Sequence, residues 1–412
     1  MRFLHLADLH FGKSLHGLSL LESGDQAAWT ERFLELAGQL RPDAVLIAGD
    51  VYDRGSPSGE AVALLSRLLT ALAEMGIPVL LVAGNHDSAQ RLAFARDLLA
   101  KQQLYISAAP GKGSELSHVT LTDAHGPVTF WLMPYVYPAL IAQILGEEGA
   151  RDYDSAVRAL LAAQPVDFSQ RNVLIAHQNV TANGQEAQRG GSESMVGGVG
   201  QIDYRAFDGF DYVALGHIHA AFPVGRPTVR YAGSPLCYHF DELRQPAKGP
   251  LLVELGAKGE EARIETLQIP PLHPLRELRG SFSELRQAEL ARDSRGEFLR
   301  VVLTDQRVSP EAADFFRSLF EGRDSVLMEI CSEFEAGRSV AARAAEAVRE
   351  KSVEELFQDF YADRSGGETP DEADRELLCY AGELLRDPRL RTAPEAAATQ
   401  LLEHLLKQEA QP

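Results

Sequence analysis

Gly84-Asn85-His86-Asp87 is the stretch on which the reading of the fold turns. It follows an apolar run, Ile77 to Ala83, with the length and bounding residues of a buried strand. A tight turn there sets an amide, an imidazole and a carboxylate side by side at the strand's C-terminal end. In open α/β sheets ligands gather at that edge. Taken alone, Asn and Asp after a strand are ordinary turn or capping residues. The rest of the chain decides between the two readings.

Upstream, the same pattern repeats. Residues 2–7 alternate and end at Asp8, and a helix is expected from about Glu22 to Leu40, with Trp29, Phe33, Leu36 and Leu40 at helical spacing. Arg41-Pro42-Asp43 breaks it. Ala44 to Ala48 reads as a second buried strand ending in Gly49-Asp50, and a helix from about Gly59 to Met75 leads into the strand before Gly84. The order β-α-β-α-β marks a parallel, helix-covered sheet. Downstream, a helix near 88–101 precedes strands at 103–107, 117–122 and 128–133, then helices near 138–146 and 154–163. Val173 to Ala176 is a short strand ending at His177, followed by a Gly/Ser/Glu/Gln-rich surface loop, Ala182 to Gly200. Tyr212 to Leu215 ends at Gly216-His217-Ile218-His219, and strands near 228–232 and 250–255 complete a second sheet.

The expected fold class is therefore α/β, a two-sheet sandwich flanked by helices over 1–270. A proline-rich seam, Ile269 to Leu275, marks a boundary. Beyond it, 276–332 reads as a small α+β unit and 345–412 as a helical segment. Ser352-Val-Glu-Glu355 is a capping box, and Val353, Leu356, Phe357 and Phe360 form an apolar stripe that suits a partner protein.

Composition agrees with a globular protein, at 45% hydrophobic and 24% charged over 412 residues. No apolar run approaches the ~20 residues that span a bilayer. The opening Met1-Arg-Phe-Leu-His-Leu-Ala-Asp8 enters a strand pattern without a leader. Cys237, Cys331 and Cys379 are few and far apart, which points to a reducing cytoplasm and away from a disulfide framework or a cysteine zinc site. A net charge of −19 excludes a protein that holds nucleic acid by bulk electrostatics alone. It does not exclude a nuclease, because bound divalent cations reverse the local field. Lys13, Arg54 and Arg91 are expected to supply a local basic rim.

Five strand ends carry possible ligands: Asp8/His10, Asp50, Asn85/His86, His177 and His217/His219. On one parallel edge such residues converge. Asp8-Leu-His10 and His217-Ile-His219 use i, i+2 spacing, which directs both side chains the same way from extended backbone. These nitrogen and oxygen donors suit Mn²⁺, Fe²⁺ or Zn²⁺. Two metals use the whole set if one carboxylate bridges them, and Asp50, on the middle strand, is the natural bridge. Two ions ~3.5–4 Å apart clamp an in-line phosphoryl displacement. His86 then fits the role of acting at the leaving oxygen. Singly, Asp50 reads as a helix cap and His177 as a core histidine, but five successive strand ends do not. His5, His16, His118, His125, His239, His273 and His404 fit no such register.

In order and spacing, Asp8-x-His10, Gly49-Asp50-x-x-Asp53, Gly84-Asn85-His86-Asp87, His177 and Gly216-His217-x-His219 resemble the calcineurin-like metallophosphoesterase superfamily. Leu6-Ala-Asp-Leu-His-Phe-Gly-Lys13, Gly49-Asp-Val-Tyr-Asp-Arg-Gly-Ser-Pro57 and Asp211-Tyr-Val-Ala-Leu-Gly-His-Ile-His219 narrow the likeness to its bacterial DNA repair nucleases. Tyr231-Ala-Gly-Ser-Pro235 and Phe240-Asp-Glu242 extend it. The resemblance implies one Mn²⁺ on Asp8, His10, Asp50 and His219, and another on Asp50, Asn85, His177 and His217, with His86 at the scissile phosphate. It further implies DNA as substrate, a DNA-capping role for 276–332, an SMC-like ATPase partner gripped by the C-terminal helices, a homodimer, and a nucleoid-associated place in the cytoplasm. Some relatives carry histidine where this chain has Asp53, so Asp53 is expected to do no more than brace its loop. Two other readings are a phosphatase or cyclic-nucleotide phosphodiesterase with the same metals, and a scaffold with a vestigial site. The C-terminal third weighs against the first and the complete donor set against the second.

Overall fold

The computed structural model describes residues 1–107, 115–145, 152–182, 200–245, 248–290 and 296–333. The helical segment expected over 345–412, with its capping box and Cys379, lies outside the described residues, as does most of the 182–200 loop. Met1–Val302 with Pro310–Ile330 form one compact unit, and Leu303–Ser309 with Cys331–Pro412 a second.

Ala44–Ala48 explains the architecture of the first unit. Every residue of this strand is buried. Val45 and Ile47 pack with Trp29, Phe33, Leu64 and Leu68 from the helices Asp25–Leu40 and Gly59–Glu74. Ala44, Leu46 and Ala48 belong to a different core, with Phe130, Val173, Ile175 and Ala214 of a second sheet. A strand covered on both faces has no polar alternation to show, hence the continuous apolar run. The second sheet buries Leu174, Val213 and Leu215 on its outer face against Ile141, Val157 and Leu160 of the helices Pro138–Leu145 and Tyr153–Ala162. The layers run helix, sheet, sheet, helix, as the expected sandwich requires.

Each sheet has six strands. In the first, Arg2–Leu6, Ala44–Ala48, Val79–Val82 and Leu104–Ser107 are parallel, and Leu251–Glu254 and Arg263–Thr266 extend it antiparallel beyond Arg2–Leu6. In the second, Gly126–Met133, Arg171–His177, Tyr212–Gly216 and Arg226–Tyr231 are parallel, with Ser117–Asp123 and Phe222–Val224 as antiparallel edges. Across the sandwich the Phe3 ring meets Phe130 and Tyr212 edge-on, at centroid distances of 5.8 and 5.5 Å. His5, which fits no ligand register, lies 3.0 Å from the Tyr212 hydroxyl, and burial pushes its pKa down to about 3. At the strands' opposite ends, Asp123 accepts from the buried Arg171 guanidinium and pairs with the Met1 ammonium.

The helix expected near 88–101 is instead two short ones, Ala89–Leu92 and Arg96–Leu99, separated where Ala95 takes a left-handed φ of 57°. Phe94 and Leu98 are 81% and 65% exposed on this segment. Beyond the proline-rich seam, Leu275–Gly280, Phe298–Leu303 and Val326–Ser332 make a three-stranded sheet, with helices Phe282–Leu290 and Pro310–Phe320. The strand Leu275–Gly280 and the helix Phe282–Leu290 were not expected. Among the described residues no helix is long and apolar enough to cross a membrane.

Candidate metal centre

The five strand ends meet, though not on one sheet edge. Arg2–Leu6, Ala44–Ala48 and Val79–Val82 come from the first sheet, Arg171–His177 and Tyr212–Gly216 from the second. Stacking two parallel sheets with their C-terminal ends at the same rim brings the two sets face to face. Backbone bonds lock the rim: Asp8 N–H donates to the Gly49 carbonyl at 3.0 Å and His10 N–H to the Asp50 carbonyl at 2.9 Å.

This crowding explains the glycines that precede the chemistry. A Cβ on Gly84 would fall 2.1 Å from Asp50 Oδ1, and one on Gly49, whose φ is +84°, would fall 2.3 Å from His177 Nδ1. Only glycine permits such approach.

The i, i+2 pairs do not work as expected from extended backbone. Asp8, His10, Asp50 and His217 have φ of 54°, 42°, 48° and 106°. Such left-handed conformations cost on the order of 1–3 kcal/mol each in non-glycine residues. Left-handed turns, not the strand pleat, therefore aim Asp8 and His10. His217 and His219 diverge: His217 Nδ1 lies 3.1 Å from Asn85 Oδ1, and His219 Nε2 lies 3.2 Å from His10 Nε2.

All seven expected ligands are thereby brought together. His177 Nε2 stands 3.1 Å from Asn85 Oδ1 and 3.3 Å from Asp50 Oδ2. Asp50 Oδ2 is also 3.6 Å from His10 Nε2 and 4.0 Å from His86 Nε2, so one oxygen faces both halves of the cluster. Its other oxygen accepts the His86 backbone N–H at 2.9 Å. Asp8, His10 and His219 form one close group and Asp8, Asp50 and His177 another. A third, His10, Asp53 and His86, was not expected. Two imidazole nitrogens sharing a divalent ion at ~2.1 Å each stand roughly 3.0–3.4 Å apart. The spacing of His10 and His219 fits this, and the hard oxygens of Asp8, Asp50 and Asn85 complete a set suited to divalent cations.

Electrostatics reflects the crowding. Burial raises the Asp8 carboxyl to about 7, against the pull of His177 and His219. For Asp50, burial acts in the same direction, but the His177 imidazole outweighs it and holds Asp50 well below the usual carboxylate range. For His177, burial alone would lower the pKa, yet Asp50 raises it to about 9.

Several supporting residues carried no role in the sequence reading. The His86 ring nitrogen Nδ1 lies 3.0 Å from the Asp53 carbonyl, so Nδ1–H donates there and Nε2 faces the cluster. His177 Nδ1 likewise donates to the Ala48 carbonyl at 2.8 Å. Asp87 Oδ2 accepts from Gly84 N–H and Val51 N–H, and Oδ1 from Tyr52 N–H, tying two ligand turns together. Gln26 donates to the His10 carbonyl and accepts from Gly12 N–H. The basic rim forms on the 53–55 loop, where Lys13 and Arg54 face the Asp53 carboxylate and Arg91 donates to the Gly55 carbonyl.

The calcineurin-like phosphoesterase family model matches residues 1–221, the span that supplies every one of these donors. A second model, the type 5 capsule protein repressor C-terminal domain, matches 271–365. Among characterised relatives, the SbcD component of the nuclease SbcCD from Staphylococcus saprophyticus is 31% identical over 293 residues, covering 70% of this chain and 74% of its own. The protein of the same name from Staphylococcus epidermidis is 30% identical over 311 residues, covering 74% and 79%. The chain belongs to the calcineurin-like phosphoesterases, in the branch that holds the SbcD nucleases.

Proposed function

We propose that this chain is a Mn²⁺-dependent DNA nuclease, cutting single strands internally and degrading duplex ends 3′ to 5′, as the nuclease component of an SbcCD-type repair complex. The observation that carries the reading is the meeting of seven metal donors from five strand ends beside a histidine outside that set. Asp8, His10 and His219 hold one ion, Asn85, His177 and His217 the other, and Asp50 both. When bound, two such ions supply Lewis acidity at the phosphoryl oxygens and a more acidic attacking water. His86 Nε2 points at the same space with its tautomer set by the Asp53 carbonyl, and passes a proton to the leaving oxygen. Lys13, Arg54 and Arg91 draw the phosphate backbone to an otherwise acidic protein.

The test is a side-by-side assay of the purified chain with Mn²⁺ on circular single-stranded DNA and on a chromogenic phosphomonoester. Cleaved DNA with little monoester hydrolysis is the expected result. Monoester hydrolysis with intact DNA would move the chain to the phosphatases.

In this reading 1–270 is the nuclease domain, 276–332 caps the DNA, and 345–412 binds an SbcC-like SMC-family ATPase, all in the cytoplasm at the nucleoid. Deleting 345–412 abolishes co-purification with that ATPase and spares Mn²⁺-dependent nicking. Loss of both would place the segment in the core fold. The exposed Phe94 and Leu98 supply an apolar surface for a homodimer. Phe94→Glu with Leu98→Glu is expected to halve the mass seen by light scattering, and an unchanged dimer would put the interface elsewhere.

A further inference from the structure

Among the histidines of the centre, His219 has distinctive support. Its Nδ1 lies 3.2 Å from Glu242 Oε1, and both side chains are buried. Glu242 is itself held: Lys248 Nζ lies 2.7 Å from Oε2, and Tyr238 N–H donates to Oε2 at 3.1 Å. Lys248 also donates to the His219 carbonyl at 2.8 Å and to Ser234 Oγ at 2.7 Å, clamping both ends of the connection. The Tyr238 ring stands edge-on to His219 and His10, with its hydroxyl fixed on the Leu9 carbonyl. His177, in the other half of the centre, has only the neutral Ala48 carbonyl behind its ring.

We infer that Glu242, anchored by Lys248, is a positioning residue that orients His219 and makes its metal-facing nitrogen the better donor, so that the Asp8–His10–His219 position binds its ion more tightly than the Asn85–His177–His217 position. An ionised acceptor behind an imidazole pulls on Nδ1–H and concentrates electron density at Nε2. A peptide carbonyl does this less. The buried carboxylate also fixes the tautomer, because Nδ1 must carry the hydrogen to meet it. Lys248 keeps that carboxylate from standing uncompensated in the interior. The inference rests on the two-metal reading but not on DNA as the substrate.

The full-length chain, its Glu242→Gln variant and its Glu242→Leu variant are titrated with Mn²⁺ by calorimetry, with electron paramagnetic resonance of the first equivalent. Wild type is expected to bind two ions in distinguishable steps. Glu242→Gln keeps an acceptor without the charge and is expected to weaken the tighter step about 10-fold, and Glu242→Leu about 100-fold, in line with the usual effect of removing such support. The weaker step stays put in both, and the resonance of the first equivalent changes. Unaltered affinities in both variants, or an equal fall in both steps, would overturn the relay, the latter by reducing Glu242 to a general brace. Glu242→Gln preserves size, so its unfolding midpoint controls for folding. Failure of the wild-type chain to bind two Mn²⁺ would remove the metal reading itself, a result separate from either variant arm.

Discussion

A His86→Ala variant is expected to cleave DNA about 10²–10⁴-fold more slowly than wild type while binding the same two Mn²⁺, the usual cost of losing one proton-transfer group. Metal binding survives because the side chain stands back from the donors, 4.0 Å from Asp50 Oδ2. The bond that does brace Asp50 comes from the His86 backbone N–H, which alanine retains. The measurement pairs a nicking assay on circular single strands with metal content after dialysis. Loss of one Mn²⁺ would instead make His86 a ligand, through the close group it forms with His10 and Asp53. Unchanged cleavage would leave the chain without an identified proton donor.

An Asp50→Asn variant is expected to lose both ions together. Asp50 is the carboxylate within 3.6 Å of nitrogens on both sides, His10 and His177, so removing its charge weakens both positions at once. Removing one partner from a buried charged cluster costs about 3–5 kcal/mol, or on the order of 10²–10⁴ in metal affinity. The same variant tests the proton linkage. In the metal-free chain His177 is raised to about 9 and Asp8 to about 7, so both hold protons at neutral pH that an arriving cation must expel. Mn²⁺ affinity in wild type therefore rises with pH from below 7 towards 9, with protons released on binding. Without the Asp50 charge, the burial that lowers the His177 pKa is no longer outweighed, and the rise between 7 and 9 flattens. Calorimetry in two buffers of different ionisation enthalpy reads the proton release directly. An Asp50→Asn chain that still takes up two ions would end the bridging role.

Much of this was legible in the residues. Ala44–Ala48 and Val79–Val82 announce themselves as runs without polar breaks because both faces are covered, and the helices between them by helical spacing and a capping serine at Ser58. The ligand set could be listed because each donor follows a strand and a glycine. Asp87 stayed silent because a brace and a ligand are the same residue type at that distance along the chain. Glu242 was visible only as part of a matching stretch, since nothing local says that its carboxylate reaches a histidine 23 residues earlier. The break at Ala95 left no signal either, as alanine is a good helix former and its left-handed φ is imposed by its surroundings.

Read by itself, the chain settles the class of fold, the identity of the donors and the chemistry they suit, because hydrophobic period and residue type are local properties. Which donor meets which was decided by the stacked sheets. Direction at a strand end depends on turn geometry and on what the opposing sheet presents. Asp8 and His10 are aimed by left-handed backbone, and His217 and His219 part to opposite sides. Only packing brings the charge of Lys248 and Glu242 up behind one of them.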